Sequence, residues 1–155
     1  INVNNFARYI AERIYRPSYI SLHTALSYYG IIPEAVVAIT SVSTHKTTKF
    51  ENQFAQYTYQ KIKPQLFFGY EPKSIAGDFN SDRRSFLLAH PEKAILDLLY
   101  LYPEYKTEED MLELRFDDYF MHEDLNIKRL EKYQEIFANK ALDNRIKTLR
   151  NTYGI

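Results

Sequence analysis

At 155 residues, 45% hydrophobic and 26% charged, the chain has the size and balance of a globular domain with a real core. Its 20 basic and 20 acidic side chains cancel, which excludes a whole-protein field able to gather nucleic acid. Cysteine is absent, which excludes disulfides and cysteine-based zinc sites, and no apolar run reaches membrane-spanning length.

In chain order, Val3, Phe6, Ala7, Ile10 and Ile14 fall at i, i+3, i+4, i+7 and i+11, an amphipathic helix that Pro17 stops near Arg16. Ser21 suits the N-cap of a second helix, in which Leu22, Ala25, Leu26 and Tyr29 share a face and Gly30 supplies the left-handed stop. Residues 31–34, Ile-Ile-Pro-Glu, form a tight turn. Residues 35–40 are β-branched and nearly continuous in apolarity, which predicts a central strand. Residues 43–49 are a polar loop. Residues 48–52 and 56–62 alternate as the arms of a hairpin, although its link, Gln53-Phe54-Ala55, lacks the glycine such a turn prefers. A further strand is expected over 66–70, a turn at 71–73 and a polar loop over 77–83.

Phe86, Leu87 and Leu88 make 84–89 a short buried strand. His90 then stands as the N-cap of a helix, Pro91 at its first position and Glu92 in its first turn. Ala94, Ile95, Leu98, Leu99 and Tyr102 recur at helical spacing until Pro103 halts the run. A helix this apolar must be covered on most sides, so it is the expected centre of the core. Glu92, Lys93 and Asp97 read as its charged stripe, with Lys93 and Asp97 able to pair for a few tenths of a kcal/mol. A carboxylate on so apolar a helix also raises the alternative of a buried hydrogen bond.

Beyond Pro103 the chain is helical. Thr107 caps a helix with Glu108, Glu109 and Asp110 in its first turn and Met111, Leu112, Leu114 and Phe116 as its apolar residues. Ile127, Leu130, Tyr133 and Phe137 line the next helix. In the last, Leu142, Ile146, Leu149 and Tyr153 face inward and Lys140, Asp143, Lys147 and Arg150 outward. The fold class is therefore α+β: a small mixed sheet packed against a central helix at about 91–102, with a helical C-terminal half. One domain spans 1–155, with an α/β core at 17–102 and a helical part at 104–155. The chain opens on Ile rather than Met and reads as a fragment of a longer protein. With 14 Tyr and 10 Phe but no Trp, rings must fill much of the core, and buried tyrosine hydroxyls need partners.

Chemistry is sparse in these residues. His23, His45, His90 and His122 do not pair at metal-ligand spacing, and His122-Glu123-Asp124 reads as a solvated helix end. Glu71-Pro72-Lys73 and Glu104-Tyr105-Lys106 fit the Glu-x-Lys letters of metal-dependent nucleases. Their contexts argue against that chemistry, because Pro72 would interrupt a strand ladder and Glu104 follows Pro103 in a loop. No phosphate-cradling glycine loop or nucleophile elbow is present. No metal, cofactor or catalytic residue is expected. The charge is nonetheless uneven: residues 104–124 carry 9 acidic and 2 basic groups, and residues 125–155 carry 7 basic and 3 acidic groups. Lys128, Arg129, Lys132, Lys140, Lys147 and Arg150 are thus candidate contacts for nucleic acid or a partner, with a steep salt dependence if they meet phosphates. The acidic block could dock on that patch or bind a basic partner.

Several blocks together resemble one family. Residues 17–21 (PSYIS) and 25–34 (ALSYYGIIPE) resemble the signature of AbiEi-type antitoxins. Residues 39–44 (ITSVST) look like a strand of that family. Phe50-Glu51 and Tyr57-Thr58-Tyr59 match its hairpin, residues 67–70 (FFGY) its next strand, and residues 89–97 (AHPEKAILD) its helix start. The similarity runs in order from about Arg16 to Tyr102. It makes Ser21, Gly30, Pro33, Gly69, Pro91, Glu92, Lys93 and Asp97 structural positions of the motif. It implies the C-terminal domain of a cytoplasmic antitoxin from a type IV, abortive-infection toxin–antitoxin pair active in phage defence, with no enzymatic activity of its own. The implied toxin is a nucleotidyltransferase. The implied antitoxin opposes it and represses its own operon through an N-terminal winged helix-turn-helix that this chain lacks. Its action would be binding: to the toxin's target, to the toxin, or to a second copy while the absent domain holds operator DNA. Two departures stand out: Ala55 where relatives commonly carry Gly, and a loop at 43–49 poorer in arginine than the family suggests. The competing readings are a nucleic-acid-binding module on the C-terminal basic helices and, third, a metal-dependent nuclease.

Overall fold

The computed structural model describes residues 3–75 and 84–155. Among them a six-stranded mixed sheet runs in the order β3-β4-β2-β1-β6-β5. Helix α1 (Val3–Ile14) leads into β1 (Ser18–Ile20), α2 (Leu22–Tyr28), β2 (Ile39–Ser43), β3 (Thr48–Glu51) and β4 (Gln56–Lys61). Strands β5 (Tyr70–Ser74) and β6 (Ser85–Ala89) follow, then α3 (Pro91–Leu101), α4 (Glu108–Glu113), α5 (Ile127–Phe137) and α6 (Lys140–Tyr153). The protein is α+β, with helices packed on the sheet. No helix among the described residues is long and apolar enough to cross a membrane.

Strands β4, β2, β1 and β6 form the interior of the sheet, between the edges β3 and β5. β1 pairs antiparallel with β2 and parallel with β6, and β2 pairs parallel with β4. Over them lies α3, whose residues from Glu92 to Leu99 are all buried. Apolar side chains of α2, α5 and α6 complete the enclosure, with Leu26, Leu130, Leu142, Ile146 and Leu149 almost fully removed from water. The tyrosines behave as their hydroxyls require. Tyr29 donates to the Ala89 carbonyl at 2.7 Å, Tyr59 to that of Ala11, and Tyr153 to that of Met111 at 2.6 Å.

The hairpin of β3 and β4 forms at 48–51 and 56–61, without a turn glycine. Asn52 replaces that glycine chemically: its Oδ1 accepts the Phe54 and Ala55 N–H groups at 2.8 and 3.1 Å, an Asx turn. Thr107 closes a full capping box with Asp110 on α4. Asn126 and Asn139 cap α5 and α6 through backbone N–H groups of Arg129 and Leu142.

Other expectations are corrected. The strand expected at 35–40 lies four residues later, at 39–43. Residues 35–38 stay outside the sheet, with Val37 90% exposed. Side chains of α2 hold this segment at its two ends: Ser27 Oγ donates to the carbonyl of Glu34, just before it, and Thr24 Oγ1 to that of Ala38. The true strand buries Ser41 and Ser43, whose polarity masks it in an apolar count. The polar loop consequently shrinks to 44–47. The strand expected at 66–70 is a 3-10 turn, Pro64–Leu66, followed by Gly69 at φ +77°. A left-handed residue ends any extended run there. Glu71-Pro72-Lys73, expected as a turn, forms the middle of β5. Pro72 is tolerated because β5 is an edge strand with β6 on one side only. Leu112, expected among the apolar contacts of α4, is 54% exposed. Near the start of the C-terminal pair, Phe120–Asp124 forms a single π-type turn rather than a continuing helix. The loop expected over 77–83 lies outside the described residues, apart from its approach at Ile75 and Arg84.

Candidate functional site: a buried polar network on the central helix

Lys93 and Asp97, read as part of a charged stripe with a buried hydrogen bond as the alternative, are both fully buried, so the alternative holds. The sheet and the C-terminal helices enclose α3 on every side, leaving no solvated face for a stripe. Lys93 Nζ donates to Asp97 Oδ1 at 2.6 Å and to the Tyr19 hydroxyl at 2.7 Å. Tyr19 in turn donates to Asp97 Oδ2 at 2.9 Å, and Ser21 Oγ donates to the same oxygen at 2.8 Å. The carboxylate therefore takes three donors, two from residues 19–21 and one from its own helix, the arrangement that makes a buried ion tolerable.

Aromatic faces enclose the ammonium. Nζ lies 4.7 Å from the Phe68 ring centre, 5.1 Å from that of Phe137 and 5.3 Å from that of Tyr19. Tyr19 is itself fixed by stacking on Tyr70 at 4.7 Å and by the edge of Phe67 at 5.0 Å. Burial pushes the Lys93 ammonium below its ordinary pKa, opposed by Asp97. Burial likewise pushes the Asp97 carboxyl up, opposed by Lys93 and the two hydroxyls. The range of pH over which both are charged is thus narrowed from each end. The Tyr19 hydroxyl is raised by burial and then by Asp97, and remains a donor at neutral pH.

Backbone geometry delivers each group. Ser21 occupies the N-cap position of α2, but its side chain is spent on Asp97 rather than on the helix end. The turn that aims it places Leu22 at φ +58°, an uncommon conformation for a branched residue. Gly69 packs directly on Lys93: a Cβ there would stand 3.0 Å from Lys93 Cγ and 3.0 Å from Tyr133 Cε2. Pro91 starts α3 as its position demands. His90 also stands at an N-cap, yet its ring bonds sideways, with Nδ1 2.9 Å from the Tyr133 hydroxyl and Nε2 3.5 Å from Glu71. Glu92, 1% exposed, accepts the Asn126 N–H at 3.0 Å and faces Arg129 at 3.4 Å, so it ties α3 to the start of α5.

Ser21, Gly69, Pro91, Glu92, Lys93 and Asp97 are thus brought together on one helix and its neighbours. Gly30 and Pro33 are not. Gly30 ends α2 at φ +74° with open space around it, and Pro33 lies exposed beyond. Sequence reasoning missed Tyr19, Phe68 and Phe137. Their signal was indirect: an ion pair on an otherwise apolar helix demands partners from elsewhere.

The basic candidates distribute differently. Lys128, Lys132, Lys140 and Lys147 are exposed, and no described carboxylate pairs with them. Arg129 is engaged by Glu92, and Arg150 by Glu131 at 3.6 Å. Neither ion pair involves the acidic block at 104–124; its Arg115 pairs instead with Glu34 at 3.3 Å. Of the nuclease-like letters, Glu71 is bound to Lys73 at 2.8 Å and Glu104 is exposed in a loop. Among the described residues, no group of three or more histidines and carboxylates is placed to hold a metal ion. Comparison with known protein families, with characterised proteins and with solved structures finds no match.

Proposed function

We infer that this chain is the C-terminal domain of an AbiEi-type antitoxin, acting by binding in the cytoplasm to oppose a nucleotidyltransferase toxin and to support repression of its own operon. One observation carries the reading. Motif positions up to 76 residues apart depend on one another: Ser21 bonds Asp97, and Gly69 makes room for Lys93. Scattered letters matched by accident have no reason to be mutually dependent in space. The network is also sealed from solvent, which suits a fold determinant in a protein that works through its surfaces. A chain without cysteine suits a reducing compartment.

The test is co-expression with a nucleotidyltransferase toxin, taken from the adjoining reading frame if that frame encodes one. Restored growth is the expected result. A folded, abundant chain that leaves the toxin unopposed overturns an antitoxin role for these residues. A second reading, a nucleic-acid-binding module, draws on the four exposed lysines of α5 and α6, which pair with no carboxylate among the described residues. Interleaved Glu131, Glu135 and Asp143 weaken the field around them. Duplex DNA binding that falls steeply with salt and is lost on Lys140→Glu with Lys147→Glu would favour this module; no binding at low salt removes it.

A further inference from the structure

The sheet ends on β3 at one side and on β5 at the other, and the two edges differ in chemistry. At the ends of the β5–β6 ladder, the Ile75 N–H bonds the Arg84 carbonyl and the His90 N–H that of Gly69. Alternation along the antiparallel register then turns the main-chain groups of Glu71 and Lys73 toward β6 and those of Tyr70, Pro72 and Ser74 outward. Pro72 thus stands in the middle of the outer row with no N–H to give. That blunts the β5 edge against a further strand.

The β3 edge carries no such block. The Asn52 N–H bonds the Ala55 carbonyl at 3.1 Å, and in register with it Phe50 lies opposite Tyr57 and Thr48 opposite Tyr59. By the same alternation Thr48 and Phe50 spend their main-chain groups on β4, whereas Lys49 and Glu51 turn theirs to the open side. Both of these residues are exposed, and neither side chain is in an ion pair among the described residues. Phe50, 40% exposed, lies on the other face of the strand, with its ring centre 5.6 Å from that of Tyr15 and 5.9 Å from that of Tyr59.

The order of charges decides what completes this edge. In an antiparallel pairing of β3 with itself, outward residues must meet outward residues. Centred on Lys49, the pairing sets Lys49 against Lys49; centred on Glu51, it sets Glu51 against Glu51. Centred on Phe50, it sets Lys49 of each copy against Glu51 of the other, with the two Phe50 rings neighbours across the axis. Opposite charges directly across a strand pair stabilise it, and like charges destabilise it.

We propose that two copies of this chain pair antiparallel through β3 about a two-fold axis at Phe50, so that the sheet continues from one copy into the other. Each facing Lys49 and Glu51 then exchange both main-chain N–H···O bonds and also oppose their charges. The contact is isologous and the far edge is blunted by Pro72, so assembly stops at a dimer. This pairing is independent of the antitoxin reading and survives its failure.

The experiment is sedimentation velocity of the whole chain from micromolar to millimolar concentration, where a monomer–dimer equilibrium is expected. Glu51→Pro removes an outward N–H and leaves the β4 ladder intact, so it should weaken the dimer about tenfold or more. Lys49→Glu and Glu51→Lys each set like charges opposite one another and should also weaken it. Lys49→Glu and Glu51→Lys combined in one chain restore opposite charges across the axis and should restore the dimer. Should Glu51→Pro fail to fold, the charge variants and their combination decide. A monomer at every concentration, self-association indifferent to these changes, or a combined variant no better than the single ones overturns the proposal.

Discussion

Replacing Lys93 by Met tests the buried network most directly. The methionine fills a comparable volume, but Asp97 then remains fully buried with its closest cation gone. Breaking a buried pair from one side costs about 3–5 kcal/mol, chiefly because the stranded charge has no water. For a chain of this length that corresponds to a fall in Tm of about 6–20 °C. The pH dependence supplies the discriminating signature. Burial raises the Asp97 pKa in the folded chain. A carboxyl raised in this way contributes stability below its unfolded pKa and loses that contribution as pH rises through its folded value. Removing Lys93, which opposes the rise, pushes the folded value higher still. The deficit of Lys93→Met relative to the parent therefore shrinks as pH is lowered and the stranded carboxyl takes up a proton. Urea denaturation of both proteins as a function of pH measures it. A deficit below about 1 kcal/mol at pH 7, or one that is flat with pH, refutes the argument that an uncompensated buried charge carries the cost.

Three further outcomes follow from local geometry. Gly69→Ala combines a left-handed backbone with contacts at 3.0 Å on Lys93 and Tyr133, whereas Gly30→Ala meets only the backbone strain of about 1–2 kcal/mol. Denaturation should place Gly69→Ala clearly below Gly30→Ala; equal losses would mean that Lys93 and Tyr133 move aside freely. Glu92→Ala removes the acceptor of Asn126 N–H and the partner of Arg129, for an expected loss of about 1.5–3 kcal/mol. Faster hydrogen exchange at the start of α5 should accompany it. Asn52→Ala opens the Asx turn of the hairpin, with two hydrogen bonds lost at about 0.5–1.5 kcal/mol each; Ala55→Gly alongside it should recover part of the loss, read by thermal unfolding.

Elements whose signal is local could be read without coordinates. Thr107 with Asp110, and Pro91 after His90, announce helix starts because their chemistry lies within four residues. The hairpin was legible in the alternation of Tyr57 and Tyr59 for the same reason. Errors arose where a distant neighbour decides. Residues 35–38 carry the composition of a central strand, but α2 side chains bond the carbonyls at its two ends, Glu34 and Ala38, and the pairing falls to residues 39–43 instead. Pro72 reads as a breaker unless β5 is known to be an edge. The candidate site was half legible: Glu92, Lys93 and Asp97 stand out as charges on an apolar helix. Their burial was not, since Phe137 arrives from 40 or more residues away and Tyr19 from 74. His90 and Ser21 show the same limit, each at the expected N-cap position with its side chain claimed by a remote partner.

What the network contributes is better understood as uniqueness than as net stability. An ion pair removed from water seldom outperforms an apolar replacement of equal volume. It does restrict geometry severely. Asp97 must meet Tyr19 within β1 and Ser21 just beyond it, while Lys93 must reach Tyr19 from one turn earlier on α3. Only one rotation and one axial position of α3 over β1 satisfy all of these together. An α3 made of leucine and isoleucine alone could slide by a turn at little penalty, and with it would move the α5 start that Glu92 holds. The motif letters therefore specify how the layers dock. Because Ser21, Glu92, Lys93 and Asp97 are enclosed, they present no surface to a partner. On the binding role proposed above, discrimination between partners falls to exposed positions outside the buried network, such as Lys128, Lys132, Lys140 and Lys147 on the C-terminal helices.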